Sequence, residues 1–202
     1  MLCSPNKRFC IFLGLLSCTS RVSTSVHRIE TFLTSAPSLY TNSAAAVFEF
    51  AATGSKEVAT FRCQLDNLSP VDCASPFRVD AIGEGLHVFR VKAIGRWENS
   101  DPSPAVWEWH VDTEAPTIRA LRSPPLYLGT TYVEAQQQCL DASPCTMRCH
   151  LDTEEEQPCG ALWQREGLID GPHALFVQAE DAAGNHTPSP VSILFNIDTK
   201  PP

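Results

Sequence analysis

Apolar and polar residues alternate with a period of two along most of this chain, the spacing that turns one face of a β-strand toward a core and the other toward solvent. In Ala46-Val47-Phe48-Glu49-Phe50-Ala51, the two phenylalanines flank Glu49. Thr60 to Leu65 places Phe61, Cys63 and Leu65 on one side. Phe77-Arg78-Val79 is a short third run, and His87, Phe89 and Val91 alternate with Val88, Arg90 and Lys92. Val106 to Val111 sets Trp107, Trp109 and Val111 on a common face. Turn clusters rich in Gly, Pro, Asn and Ser separate these runs, and no helical apolar stripe of useful length appears. Short strands punctuated in this way predict an all-β sandwich.

The pattern occurs twice. Phe61-Arg62-Cys63-Gln64-Leu65-Asp66, with Cys73 after it, returns 86 positions later as Met147-Arg148-Cys149-His150-Leu151-Asp152, with Cys159 after it. The same offset, without a gap, carries Gly85-Leu86-His87 onto Gly171-Pro172-His173, Pro102-Ser103-Pro104 onto Pro188-Ser189-Pro190, and Asp112-Thr113 onto Asp198-Thr199. A period this long exceeds that of solenoid and propeller units and approaches the ~100 residues of an immunoglobulin-like sandwich. The expected organisation is a signal peptide over 1–20, a linker or opening edge strand over 21–36, and sandwich repeats over 37–117 and 118–202. The second copy is less regular. Gln136-Gln137-Gln138 occupies apolar positions in its early strand, and Ile193, Phe195 and Ile197 stand where the first has Trp107, Trp109 and Val111.

At the N-terminus, Lys7 and Arg8 precede the apolar run Phe9 to Leu16, and small residues follow at Ser17, Thr19 and Ser20. This is the layout of a secretory signal, and the run is shorter than the ~20 residues that span a bilayer. Leu15-Leu16-Ser17-Cys18 is a weak match to a lipobox, which would place a lipid on Cys18. No apolar tail follows Pro202, so neither a C-terminal span nor a lipid-anchor signal is expected, and the chain stops where a third copy would begin. A 43% apolar and 19% charged composition is that of a folded chain. The net charge of −8 disfavours nucleic acid and anionic lipid as partners.

Both copies resemble the tandem immunoglobulin-like repeats of bacterial type, akin to fibronectin type III, found in large secreted or surface proteins. The motifs behind the resemblance are Thr41-Asn42-Ser43, the F-x-C-x-L-D strand with its second cysteine, the G-x-H strand, Asp181-Ala182-Ala183-Gly184-Asn185, the P-S-P step and the closing V-D-T-x-x-P. It covers about residues 35–202. The first copy departs at Gly95-Arg96-Trp97-Glu98-Asn99, where the turn motif is missing. The resemblance implies two tandem β-sandwiches acting as spacers, adhesion modules or carbohydrate-facing accessories rather than as catalysts.

Six cysteines lie beyond the presumed signal, an even number that suits disulfides in an exported protein. Cys63 with Cys73 and Cys149 with Cys159 are the repeated pairs. Cys139 and Cys145 occur only in the second copy, opposite Thr53 and Ala59 at the common offset, and are paired on that ground; four cysteines in one domain still allow three connectivities. A zinc site from Cys139, Cys145, Cys149, His150 and Cys159 lacks a C-x-x-C clip. His87 and His173 recur without an accompanying nucleophile and are read as structural. The acidic loop at Asp152 and Glu154 to Glu156 has no EF-hand spacing and is read as solvated. Asp112 and Asp198 sit at domain ends, where calcium would stiffen a junction, but nothing in their spacing specifies it. No metal or other cofactor is therefore expected. Asn67-Leu68-Ser69 and Asn185-His186-Thr187 are glycosylation sequons in predicted turns. Trp97 is the candidate partner-contacting aromatic. The expected protein is a non-enzymatic, secreted or cell-surface structural or adhesive segment whose partner is an extracellular protein or carbohydrate. If it instead binds carbohydrate or matrix polymer, Trp97, Trp107 and Trp109 should form an exposed platform.

Overall fold

The computed structural model describes residues 29–54, 58–96 and 100–201. The signal region, the lipobox cysteine and Trp97 lie outside these residues. The first half contains β1 (Thr31–Ser35), β2 (Tyr40–Thr41), β3 (Ala46–Ala52), β4 (Val58–Leu65), β5 (Val71–Cys73), β6 (Phe77–Val79), β7 (Gly85–Gly95) and β8 (Ala105–Val111). The second contains β9 (Thr117–Arg122), β10 (Tyr127–Leu128), β11 (Val133–Leu140), β12 (Cys145–Leu151), β13 (Gln157–Cys159), β14 (Leu162–Arg165), β15 (Gly171–Asp181) and β16 (Val191–Ile197).

Each half is a sandwich of a three-stranded and a five-stranded sheet. The first pairs the order β1-β3-β6 with β2-β8-β7-β4-β5, and the second pairs β9-β11-β14 with β10-β16-β15-β12-β13. In each, a two-residue strand joins the edge of the larger sheet in parallel, β2 on β8 and β10 on β16, while the other pairings are antiparallel. In each group the third strand faces the seventh and eighth across the core, which is the immunoglobulin-like and fibronectin III-like arrangement. The predicted all-β tandem sandwich is the observed fold.

The period-two pattern becomes the core directly. Phe48 and Phe50 of β3 meet Phe89 and Val91 of β7 and Trp109 and Val111 of β8. The Phe48 ring stacks on Phe89 with centroids 3.9 Å apart and lies edge-on to Trp109 at 5.2 Å. In the second sandwich, Val133, Ala135, Leu175, Val177, Ile193, Phe195 and Ile197 close a mostly aliphatic core.

Of the two readings of 21–36, the opening edge strand is found over Thr31–Ser35, and one other feature differs from the sequence expectation. Part of the 21–36 stretch is built into the first sandwich: Ile29 is buried, Leu33 of β1 packs on the core, and β1 pairs with β3. Five residues with two interior-facing positions are too short for a legible period. The ungapped offset also fails upstream of the cysteines. The inward positions Ala46, Phe48 and Phe50 correspond to Val133, Ala135 and Gln137, 87 residues on. The β11–β12 connection is one residue shorter than its counterpart, and a surface loop absorbs such a change without disturbing the sheets. Cys139 therefore stands opposite Ala52, not Thr53.

Candidate functional site at the repeat junction

The repeated motifs are first of all structural. Asp66 and Asp152 end their strands with φ of 50° and 52°. Oδ1 of Asp66 accepts the Val88 amide at 2.8 Å and its Oδ2 lies 2.9 Å from His87 Nδ1. Asp152 does the same with the Ala174 amide at 2.8 Å and His173 Nδ1 at 2.7 Å. Each imidazole then places Nε2 2.9 Å from a carbonyl, that of Gly83 or of Ile169. The Asp of F-x-C-x-L-D is thus clasped to the His of G-x-H, and the ring nitrogen that a general base would need is already engaged. Burial opposes charge on Asp152, but the His173 and Ala174 hydrogen bonds outweigh it and lower the carboxyl pKa. Burial likewise works against charge on His173. The Ile169 carbonyl and the Asp152 carboxylate outweigh that too, and raise its pKa.

The six cysteines form three disulfides, Cys63–Cys73, Cys139–Cys145 and Cys149–Cys159. The first and third tie neighbouring strands of one sheet, β4 to β5 and β12 to β13. The second runs from β11 to β12, which belong to different sheets, so it staples the sandwich layers together. No thiolate is left among them for the zinc alternative. His150 instead stacks on Phe176 and contacts the Asp152 carbonyl. Glu154 and Glu156 of the acidic loop pair with Arg165 and Arg148.

Trp109 is 1% exposed and Trp107 packs against the same core. They do not form the exposed platform that a carbohydrate reading assigns them, because the alternation that places them on one face points that face inward. Asn67 is exposed on its turn. Asn185 is half-buried, and its Nδ2 donates to the Asp112 carbonyl at 2.8 Å and to Asp181 Oδ2 at 2.7 Å. A glycan on that nitrogen would displace at least one of these bonds.

Those bonds lead to the junction. The closing segments of the two repeats, Val111-Asp112-Thr113 and Ile197-Asp198-Thr199, fold alike. Asp112 Oδ1 accepts the Glu114 amide and Asp198 Oδ1 accepts the Lys200 amide, both at 3.3 Å. Thr113 caps Glu84 with its amide and hydroxyl, as Thr199 caps Asp170. The surroundings differ: Asp198 is exposed, whereas Asp112 is 4% exposed. The Asp181-Ala-Ala-Gly-Asn185 turn of the second sandwich closes over Asp112. Gly184 adopts φ of 89° there, and a Cβ on it would lie 4.0 Å from Asn42 of the first sandwich. Asp181 Oδ1 holds the turn by accepting the Asn185 amide at 2.8 Å. Asp141, on the β11–β12 connection, accepts the Ser143 amide and hydroxyl.

One carboxylate oxygen from each of Asp112, Asp141 and Asp181 lies within 4.8 Å of the other two. Asp112 Oδ2 is buried with no hydrogen-bond donor. Among the described residues, no Lys, Arg or His forms an ion pair with any of the three. Sequence reasoning singled out Asp112 but treated Asp181 only as part of a turn and passed over Asp141. Their separation along the chain conceals the cluster, and the sole local signal was the turn motif present in the second copy alone.

No known family model matches the chain, and no curated protein matches it. Among solved structures, the fibronectin(III)-like modules of Clostridium thermocellum CbhA match at 13% identity, over 84% of this chain and 94% of that one, with a TM-score of 0.47. Murine CEACAM1b matches at 7% identity, over 84% of this chain and all of that one, with a TM-score of 0.49. A 1.5-MDa bacterial ice-binding adhesin matches at 12% identity, over 85% of this chain and 66% of that one, with a TM-score of 0.43.

Proposed function

We propose that this chain is a non-enzymatic structural or adhesive segment of an exported protein, two stapled β-sandwiches held in tandem and presenting loops to an extracellular protein or carbohydrate. The observation that carries the reading is the pairing of all six described cysteines into disulfides within two small sandwiches. Disulfides persist in oxidising compartments, and domains of this size gain most from them. Among the described residues, no helix is long and apolar enough to cross a membrane. In this reading residues 1–20 are a cleaved signal, the first repeat runs to about Pro116, and the second begins at β9. Asn67 is the better-placed acceptor for a glycan. With both histidine Nε2 atoms held by carbonyls, neither ring is free there to act as a general base.

The test is peptide-level mass spectrometry on the protein secreted by its own host, with and without reductant. Loss of about the first 20 residues, together with the three expected disulfide-linked peptides, supports the reading. A retained N-terminus with free thiols overturns it.

A further inference from the structure

We propose that Asp112, Asp141 and Asp181 bind a calcium ion that locks the two sandwiches together. Three carboxylates at this spacing, two of them on buried residues, repel one another. Burying a carboxylate oxygen with no donor is costly, and Asp112 Oδ2 is such an atom. A cation between the three offsets both costs, and the donor set identifies it. Every ligand is a hard carboxylate oxygen, with no imidazole or thiolate to favour zinc. Calcium–oxygen distances of about 2.3–2.6 Å put ligands on opposite sides of the ion roughly 4.6–5.2 Å apart. The three oxygens, all within 4.8 Å of one another, fit inside that span, and three protein carboxylates on one ion suit calcium better than magnesium, which keeps several waters and usually takes one or two. Three carboxylates supply three to six oxygens, and water completes the shell.

The ligands come from both sides of the junction. Asp112 closes the first repeat, whereas Asp141 and Asp181 sit on the facing loops of the second. The rest of the site is already organised without the ion: Glu114 and the Thr113–Glu84 contacts hold the Asp112 turn, Ser143 holds Asp141, and Asn185 holds Asp181 while reaching back to the Asp112 carbonyl. Binding therefore orders little new backbone and acts mainly on the angle between repeats. The site does not depend on the adhesive reading, since an exported spacer and an intracellular protein with this junction would both bind.

The test is titration calorimetry of the whole chelator-treated chain with CaCl2 and, separately, MgCl2, alongside thermal unfolding and small-angle scattering. The expected result is uptake of one Ca²⁺ with a Kd in the ~0.1–1 mM range of extracellular modules. The unfolding midpoint should rise with Ca²⁺, and the spread of inter-repeat distances should narrow. At 100 times Kd, the folding constant of the unit holding the ion should increase about 100-fold. Asp112→Asn and Asp141→Asn should each weaken binding by about tenfold or more, because ligand charge tunes affinity. Asp198→Asn, which alters the same turn where it is exposed, should leave binding unchanged. If Asp112→Asn fails to fold, Asp141→Asn on its half-buried loop decides. Absence of saturable binding, Mg²⁺ binding as tight as Ca²⁺, or wild-type affinity in the folded Asp141→Asn variant would overturn the proposal.

Discussion

The two sandwiches share a topology and a set of motifs but solve the problem of a small core differently. The first fills its interior with rings, Phe48, Phe50, Phe89 and Trp109, with Phe61, Phe77 and Trp107 packed around them. At the corresponding positions the second has Ala135, Gln137, Leu175 and Phe195, then Met147, Trp163 and Ile193. Its interior is smaller and holds a fully buried amide: Gln137 Nε2 donates to the Gly160 carbonyl at 2.8 Å, while Oε1 has no donor. The second sandwich also carries the extra staple between its layers. Where Cys139 and Cys145 stand, the first has Ala52 and Ala59, which line a groove of about 480 Å³. The comparison teaches that covalent and packing stabilisation trade against each other inside one fold. Aromatic burial suffices where it is available, and a cross-layer disulfide accompanies its loss.

Core truncation should separate the halves most. Phe89→Ala should cost the first sandwich about 3–5 kcal/mol, and Leu175→Ala should cost the second about 2–5 kcal/mol. Urea unfolding followed separately for each half would measure both. A markedly larger loss for Leu175 would contradict the idea that rings dominate the first core.

Next in size is Asp101→Ala. This buried carboxylate accepts the Thr31 amide at 2.6 Å and the Ser103 amide at 2.8 Å, sewing β1 to the loop before β8. Burial disfavours its charge, but the donors from Thr31 and Ser103 prevail and its pKa is lowered. Losing these charge-assisted bonds should cost the first sandwich about 2–3 kcal/mol. A lowered carboxyl pKa stabilises above the unfolded value and is lost as pH falls through the folded one, so the variant should also lose less stability than the parent on acidification. An unchanged acid-unfolding curve would remove Asp101 from that role.

The staple comes third. Cys139→Ala with Cys145→Ala should lower the stability of the second sandwich by about 2 kcal/mol, the chain-entropy value for so short a loop. The reciprocal Ala52→Cys with Ala59→Cys should gain less in the first, whose layers are already locked by aromatic packing. Equal effects in both halves would dissolve the trade-off.

The smallest expected effect is on pH. The lowered Asp152 pKa contributes stability that is lost as pH falls through the folded value. The raised His173 pKa contributes stability that is full below about 6.5 and lost as pH rises through the folded value. The second sandwich should therefore be most stable in mild acid and decline toward alkaline pH. The change in midpoint should stay below the ~4 °C that accompanies about 1 kcal/mol in a domain of this size. His173→Gln should flatten the alkaline limb in a pH series of melting curves.

Much of the architecture could be read from the residues because alternation and burial are the same fact seen twice. Phe48, Phe50, Phe89 and Trp109 all point where their period puts them. The repeated Asp and His were legible as a pair of motifs, though not as partners, since their contact crosses from the end of β4 to β7. The opening strand β1 was half seen, being too short to show a period. The one-residue slip between Cys139 and Cys145 was hidden because identical residues downstream hold the 86-residue offset. The aspartate cluster was the least legible feature. Its members stand at 112, 141 and 181, and only the docking of one sandwich on the next brings them together.

The junction has a direction. The closing Asp-Thr turn acts as a plug, present at the end of both repeats as Asp112-Thr113 and Asp198-Thr199. The acidic pair of the facing socket, Asp141 with Asp181, belongs to the second repeat only, whereas Asn185 has a counterpart in Asn99. At the corresponding places the first repeat has Gly54 or Ser55 and Gly95, none of them acidic. Exchanging the order of the two repeats would set a plug against a face without that acidic pair, so the sandwiches, alike in fold, are not interchangeable parts.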